Sequence, residues 1–464
     1  LNISLQIPQN FQFFNIHKQS DNWNKYLFSY IFLKQKQKKN FSIKKITSSV
    51  EKNYNYKNNT NFFSISFLKN ILLKIINLIF IFRVKNQPLV FFDTYLSTFD
   101  QIFLMIKNFS FPTTFNFGIK TKKVDYRLRE SLKKKVSEKN IFLRDLLKSS
   151  IEHLPIDFLE NFSLIKNKIF LSNIPKNPKI ILTTNGVLSS SIKSMYIAEC
   201  VSKGSKLIIA QHGGRYGNLK NIFHKDYEMD ISDYFISWGN EKNKKIKNIG
   251  MIKPFKKSYS KNHSMNNTIL FLMFTKGRYP KLDDSEYNNF RKIYNYYSEI
   301  CPNFYKKLDY NLKSKLIYRT GAKNFWNEIK ILKKKCKLSL VDSKHKSDFL
   351  ESANSSRVVV CSYLSTTFLE LLAANIPAIL FTPFSHDVYN KKTLKYFKKM
   401  KNCEMFFNNE KDAAIFINKK WEQIYDWWWS KNVQDVRKDI LKNFSILNNN
   451  LINDIQKLIS KSYS

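Results

Sequence analysis

Apolar residues in this chain gather in short runs, most of which end in a turn built from Gly, Thr, Ser or Asn. Runs of four to seven apolar residues read as strands buried on both faces, the habit of parallel sheets covered by helices. The strand-like stretches are Leu89–Phe92, Lys179–Leu182, Lys206–Ala210, Tyr234–Gly239, Thr268–Phe274, Leu316–Arg319, Arg357–Val360 and Ala378–Phe381. Between them the spacing turns helical, over about 99–107, 120–150 and 190–202 and in a segment holding Phe158 and Leu159. Met195, Ile197, Ala198 and Val201 form the apolar face of the third of these, and Gly204 is placed to cap it. The tail from Ala413 to Lys461 is helical in pattern, and its Trp421, Trp427, Trp428 and Trp429 read as packing before sugar stacking.

The alternation of strand and helix occurs twice. Near residues 250–265 the pattern loosens into a Lys/Ser/Asn-rich linker with Gly250 and Pro254. The expected fold is therefore α/β, with two Rossmann-like domains facing a cleft and a helical C-terminal tail. The expected domains are residues 1–255 and 256–464. Residues 1–60 are polar and weakly periodic and receive no assignment. The window Phe67–Val84 is the most apolar, but Lys69, Asn70, Lys74 and Asn77 fall on one helical face. It reads as an amphipathic helix over 66–83, for packing or interfacial docking, not as a spanning one.

At 464 residues, two domains is the natural division. The formal net charge is +42, from 78 basic and 36 acidic residues. This positive charge is mostly Lys and is scattered along the whole chain, with Lys, Asn, Ile and Phe abundant together as in A/T-rich coding. Arg, suited to bidentate phosphate and guanine contacts, is not enriched. A solvated surface is the first reading and attraction to an anionic membrane the second; specific nucleic-acid binding is not expected. Five separated cysteines without a CxxC pair suggest free thiols in a reducing compartment and no zinc site. The chain begins at Leu1, read as a truncated or reassigned start, and no secretory leader pattern follows.

The most informative chemistry follows the strand Lys206–Ala210. Gln211-His212-Gly213-Gly214-Arg215-Tyr216-Gly217 places an imidazole at the carboxyl edge of a sheet, where open α/β sheets bind ligands. The glycines permit a sharp turn and close approach. His212 is either a structural histidine in that turn, a base for a sugar or polyol hydroxyl, or a phosphate ligand. Ser365-Thr366-Thr367 opens a helix after Arg357–Val360, so its hydroxyls and free N–H groups form an anion site. They also fit plain capping, with Glu370 three residues after Thr367 as a capping box; alternatively Glu370 accepts hydrogen bonds from a ribose. Lys276 and Arg278 flank Gly277 after a strand and can neutralise a diphosphate, or form a solvated basic loop. Arg319 ends the next strand in the same way, and Asn185 lies in the exit loop of an earlier one. His224, Glu228, Asp230 and Asp233 match no metal spacing well and read first as surface charge or capping. Walker A, GxSxG, HExxH and GxGxxG patterns do not occur, which argues against the enzyme classes that carry them.

These pieces, in their order, resemble a family of bacterial transferases of surface-carbohydrate biosynthesis that is itself similar to GT-B glycosyltransferases. The carriers are Tyr95-Leu96, Leu154–Glu160, Gln211–Gly217, Ile231-Ser232-Asp233 with Trp238-Gly239, Ser365–Glu370 and Trp427-Trp428, over about residues 88–445. Departures are Cys361–Leu364 where Asp-His is expected before the Thr-Thr loop, and a missing Pro after Arg319. The resemblance implies a nucleotide-sugar donor bound mainly by the second domain and a glycan or lipid-linked acceptor bound mainly by the first. It implies His212 as base or phosphate ligand, with Gln211, Gly213, Gly214, Tyr216, Asn185, Lys276, Arg278, Arg319, Ser365, Thr366, Thr367 and Glu370 around the donor. No metal and no further cofactor is implied. The expected setting is cytoplasmic, with peripheral contact on the inner membrane. A nucleotide-sugar epimerase of the same fold, and a non-catalytic basic protein binding membrane or RNA, are the alternatives.

Overall fold

A computed structural model describes residues 86–111, 122–253, 266–277, 290–321, 325–337, 340–342, 349–383 and 386–463, together with Ile7, Trp23, Asn24, Thr113 and Phe115. The helix expected over 66–83, Arg278 and most of the expected linker lie outside the described residues.

Strands β1 (Leu89–Phe92), β2 (Ile180–Thr183), β3 (Lys206–Ala210), β4 (Tyr234–Ile236) and β5 (Ile246–Lys247) form one sheet in that order. A second sheet has the order β11-β10-β9-β6-β7-β8. Its strands are β6 (Ile269–Leu272), β7 (Leu316–Arg319), β8 (Leu340–Asp342), β9 (Val358–Cys361), β10 (Ala378–Phe381) and β11 (Phe406–Phe407). All neighbours in the second sheet pair in parallel, as do β1–β2, β3–β4 and β4–β5 in the first. The apolar runs explain this arrangement. β1, β2, β6, β9 and β10 are buried at every position, which only strands covered on both faces require.

The helices used below are α1 (Tyr126–Lys134), α2 (Ile141–His153), α3 (Ser191–Ser202), α4 (Phe223–Ile231), α5 (Thr366–Ala374), α6 (Lys431–Phe444) and α7 (Leu451–Tyr463). The single helix expected over 120–150 is two, because Asn140 caps a new start by accepting from the Leu143 N–H at 3.1 Å. Phe158 ends a short 3₁₀ turn, Ile156–Phe158, and the next helix begins only at Phe162.

The chain divides into two compact units. The first ends within β3, at Leu207; the second takes Ile208–Ser462 with Tyr95–Asp100. The first unit is braced by an ion pair that is almost fully buried. Arg129 Nε and Nη2 donate to the two Glu160 carboxylate oxygens at 2.7 and 2.8 Å. Its Nη1 donates to the carbonyls of Ile151, Glu152 and Leu154, each at 3.0 Å, and so ties down the end of α2. The guanidinium makes five hydrogen bonds through its three nitrogens, where a lone buried charge would cost several kcal/mol.

In the second unit the tail returns to the first sheet. Ile446 N–H donates to the Trp238 carbonyl at 2.7 Å and Met251 N–H to the Ile446 carbonyl at 3.0 Å. Trp428 is buried with its indole N–H on Asn375, which fits packing and not an exposed stacking platform. Among the described residues no helix is long and apolar enough to cross a membrane.

The tail's return depends on Gly239, where an added Cβ would stand 2.4 Å from the Asn443 carbonyl oxygen. We expect Gly239→Ala to destabilise the protein by roughly 1–3 kcal/mol, as overpacking does. Gly217→Ala, whose Cβ would meet Phe444 Cδ1 at an ordinary 3.4 Å, should be nearly neutral by comparison. Denaturant midpoints of the two variants check this.

Candidate active site

The second sheet reverses its strand order between β6 and β9: the chain goes outward through β7 and β8, then returns to β9 on the other flank of β6. Ligands of open parallel sheets bind outside the carboxyl ends of the strands at such a point. A cavity of about 410 Å³ lies there. Its walls are Leu272–Thr275 after β6, Arg319–Gly321 after β7, Phe349, Tyr363–Ser365 with Thr367 after β9, and Arg215 from the turn that follows β3.

Arg215 reaches this cavity because the His-Gly-Gly turn sits on the start of α5. The Gly214 N–H donates to Thr366 Oγ1 at 2.8 Å. A Cβ on Gly214 would lie 2.8 Å from Leu369 Cδ1 and 2.9 Å from the Thr366 nitrogen, so only glycine lets the two backbones meet. At Gly213 the corresponding distance to Thr366 Oγ1 is 3.5 Å, and a side chain there has room.

The second group of interest lies beside that turn. Tyr216 Oη donates to Glu228 Oε2 at 2.8 Å, from a helix, α4, that presents Glu228 inward. With that proton committed to the carboxylate, Tyr216 Oη accepts from the imidazole, 2.8 Å from His212 Nδ1 and 3.2 Å from Nε2. Glu228 Oε1 is itself 3.5 Å from His212 Nδ1. The Tyr216 ring stacks on Phe235 of β4, which fixes its hydroxyl. Glu228 is 1% exposed, whereas the His212 side chain keeps 23% of its surface accessible. Burial pushes the Glu228 carboxyl up to about 7; the Tyr216 hydrogen bond and the charge of His224 pull the other way. Glu228, Tyr216 and His212 thus form one hydrogen-bonded chain.

The remaining expected residues divide by what holds them. Arg319 lines the cavity, and its Nη1 donates to Asp342 Oδ2 at 3.0 Å and Ser352 Oγ at 2.6 Å, so the guanidinium is fixed. Ser365 and Thr367 line the cavity, and Thr366 binds the turn. Gln211 is buried as a brace: Nε2 donates to the Gly213 carbonyl at 2.8 Å, and Oε1 accepts from the Trp238 N–H at 2.9 Å. Lys276 is buried, with its carbonyl accepting from the Trp326 indole N–H at 2.9 Å. Glu370 is buried and paired with Lys253, from the segment after β5. The capping box does not form: Ser365 is the N-cap, which puts Glu370 at the fifth helical position, beyond reach of the cap. Asn185 belongs to the first compact unit, where it precedes the short helix Gly186–Ser189 and donates its N–H to the Asp93 carbonyl at 3.3 Å. Arg278 lies outside the described residues. His212 is not among the residues lining the cavity; its neighbours Gly214 and Arg215 make the connection.

Arg215, Tyr363 and Glu228 are the side chains that the strand-and-motif reading underweighted. The first stands inside the glycine motif and was visible there. Tyr363 stands where a charged pair is expected and lines the cavity beside Ser365 and Thr367. Glu228 had no local signal, because its partner lies twelve residues back.

The pH dependence of stability should report on Glu228. Its carboxyl is raised in the folded state, so the folded protein holds that proton more tightly than the unfolded chain. The stabilisation is therefore present below about 4.5, the ordinary value, and is lost as pH rises to about 7. Thermal unfolding of Glu228→Gln should lack this loss, with the variant gaining on the parent between those pH values. Parallel curves would show that the buried carboxyl is not the titrating group.

A model of the LIC12162 family of transferases matches residues 4–459. No curated protein sequence matches the chain significantly. Among solved structures, MnaA of S. aureus with UDP is similar at 8% identity and a TM-score of 0.44, over 82% of this chain and 97% of that one. MurG of Acinetobacter baumannii is similar at 12% identity and a TM-score of 0.37, over 66% and 80%. The wall teichoic acid polymerase TagF is similar at 11% identity and a TM-score of 0.39, over 85% and 95%. With the family match running through the glycine turn, the hydroxyl-bearing helix start and the C-terminal helices, this chain belongs to the LIC12162 family of transferases.

Proposed function

We propose that the protein is a GT-B-like glycosyltransferase. It moves a sugar or sugar-like group from a nucleotide-activated donor to a cell-surface glycan or lipid-linked acceptor. One observation carries this reading: the Gly214 N–H on Thr366 Oγ1 seats the turn that carries His212 on the start of α5, and Arg215 of that turn lines the cavity at the β6/β9 switch point. The two guanidinium groups, Arg215 and Arg319, and the N-terminus of α5 suit the departing phosphate of such a donor. In this reading residues 256–464 hold the donor, residues 1–255 hold the acceptor, and the reaction runs at the cytoplasmic side of a membrane with peripheral contact.

The acceptor hydroxyl oxygen attacks the anomeric carbon while the carbon–oxygen bond to the donor phosphate breaks. Its electron pair leaves with the phosphate, and the hydroxyl proton passes to His212. The resulting imidazolium is stabilised by the Tyr216 hydroxyl and by Glu228, whose carboxyl ionises more readily beside a positive ring. Arg215, Arg319 and the helix start neutralise the charge that develops on the leaving group, in a site where fixed donors need no reorganisation.

A thermal-shift screen against nucleotides and nucleotide sugars should show stabilisation of a few kcal/mol at saturating ligand. With the cognate donor, His212→Ala should lower kcat by about 10²–10⁴ and leave nucleotide binding intact. Arg215→Ala should weaken nucleotide binding by roughly 10- to 100-fold, the effect of losing charged hydrogen bonds. Full turnover by His212→Ala would remove the base assignment, and release of free sugar without an acceptor would identify an epimerase instead.

A further inference from the structure

Among the described residues, 15 of the 22 exposed large apolar side chains fall between Phe99 and Leu171. The rest of the described surface is covered in the ordinary way, so this concentration needs a reason. It is densest on α2, whose thirteen residues include none that is buried. Ile141 and Phe142 are about two-thirds exposed, and Leu143, Leu146 and Leu147 about half. At 100° per residue, Phe142, Leu143, Leu146 and Leu147 form one broad stripe. Arg144 lies beyond one edge of it, exposed Asp145 beyond the other, and Lys148 on the opposite face. The preceding helix α1 packs beside α2 and adds exposed Tyr126 and Leu128. Exposed Lys122, Lys123, Arg127, Lys134, Lys135 and Lys139 surround the pair.

An amphipathic helix in water normally turns such a stripe into its own core. Here the α2 stripe stays exposed. The Arg129–Glu160 pair takes the last carbonyls of α2 and holds its end in place, so the stripe is presented by a rigid support. Apolar residues flanked by cations are the composition of a helix that lies in a lipid interface. A second copy of this chain would bring the same cations face to face, which like charges oppose.

We propose that α1 and α2 form the docking surface of the protein on an anionic lipid bilayer, with the α2 stripe entering the headgroup boundary and the surrounding Lys and Arg meeting the lipid charge. The proposal rests on the reading of peripheral membrane contact given above and names the surface that makes it. It delivers a soluble donor site to a membrane-borne acceptor without a spanning segment. The attraction is screened by salt, while the apolar entry is not.

Sedimentation of the full chain with vesicles tests this. Phosphatidylcholine vesicles containing phosphatidylglycerol should bind it at least tenfold more tightly than pure phosphatidylcholine vesicles. The double variant Phe142→Ser/Leu146→Ser should lose about tenfold or more of that binding, and Lys134→Glu/Lys135→Glu a similar factor at low salt. Both should keep the parent's melting temperature and its response to nucleotide, because these side chains are exposed. A parent that ignores anionic vesicles overturns the membrane reading itself. A parent that binds them, with both double variants binding equally well, leaves that reading and overturns this surface. A parent that sediments as a dimer which the apolar variant dissociates would assign the stripe to a second copy instead, and would also overturn it.

Discussion

The structure turns on one backbone approach. Gly214 and Thr366 lie 152 residues apart, yet their contact is a single N–H on a hydroxyl with no side chain between. A methyl group at Gly214 would meet the backbone of Thr366 at 2.9 Å, so the approach is steric before it is polar. From it follow the position of Arg215 in the cavity, the placement of the His212 turn beside the start of α5, and the use of Thr366 as a clasp while Ser365 and Thr367 face the ligand space. Of the two glycines after β3, Gly214 alone is required for this seating, since a side chain at Gly213 has room.

Around that contact, several residues that look like ligands on paper serve as framework. Gln211 has the amide chemistry to bind a donor, but both ends of its amide are spent on the turn and on the exit of β4. Glu370 is matched with Lys253, which ties the segment leaving the first sheet to α5. These bonds fix from behind the turn that carries His212, and a buried amide with all its partners met does this at little cost. The buried carboxylate of Glu228 is different in kind. Its desolvation is unfavourable, and the raised carboxyl is the sign of it.

The sheets were legible to the extent that their strands are long and apolar. β1 and β10 begin and end where the apolar runs do, because burial at every position leaves no polar interruption, and β3 and β7 match their expected bounds with a single charged residue at one end. β5 and β11 have two residues each and β8 has three, too few to show any period, and they went unseen. The helical stretch over 120–150 hid a break because Asn140 looks like any other polar residue until it is seen accepting the Leu143 N–H. The His-Gly-Gly turn was legible as chemistry, since strand, glycines and imidazole are contiguous. Its relay was not: Tyr216 was in view, but Glu228 acts across a loop and a helix, and only the fold brings the two to 2.8 Å. The same holds for Arg319, fixed by Asp342 from the neighbouring strand, 23 residues on.

Charge offers the last link between composition and function. A net +42 spread over many lysines suggested a solvated surface, and lysine does serve there, in exposed positions and in surface pairs such as Lys399 with Asp439. Four of the arginines are used otherwise. Arg129 is locked under the first unit, Arg437 donates to the Leu372 carbonyl at the end of α5, and Arg215 and Arg319 line the cavity. A planar guanidinium can be fixed by two or three acceptors and still present a directed face, which a lysine ammonium on a flexible stem cannot. The division of labour follows from that difference. Long-range attraction to an anionic surface needs only number and exposure, and lysine supplies both. A group that must be fixed in direction at a switch point is better served by a guanidinium, and Arg215 and Arg319 stand there.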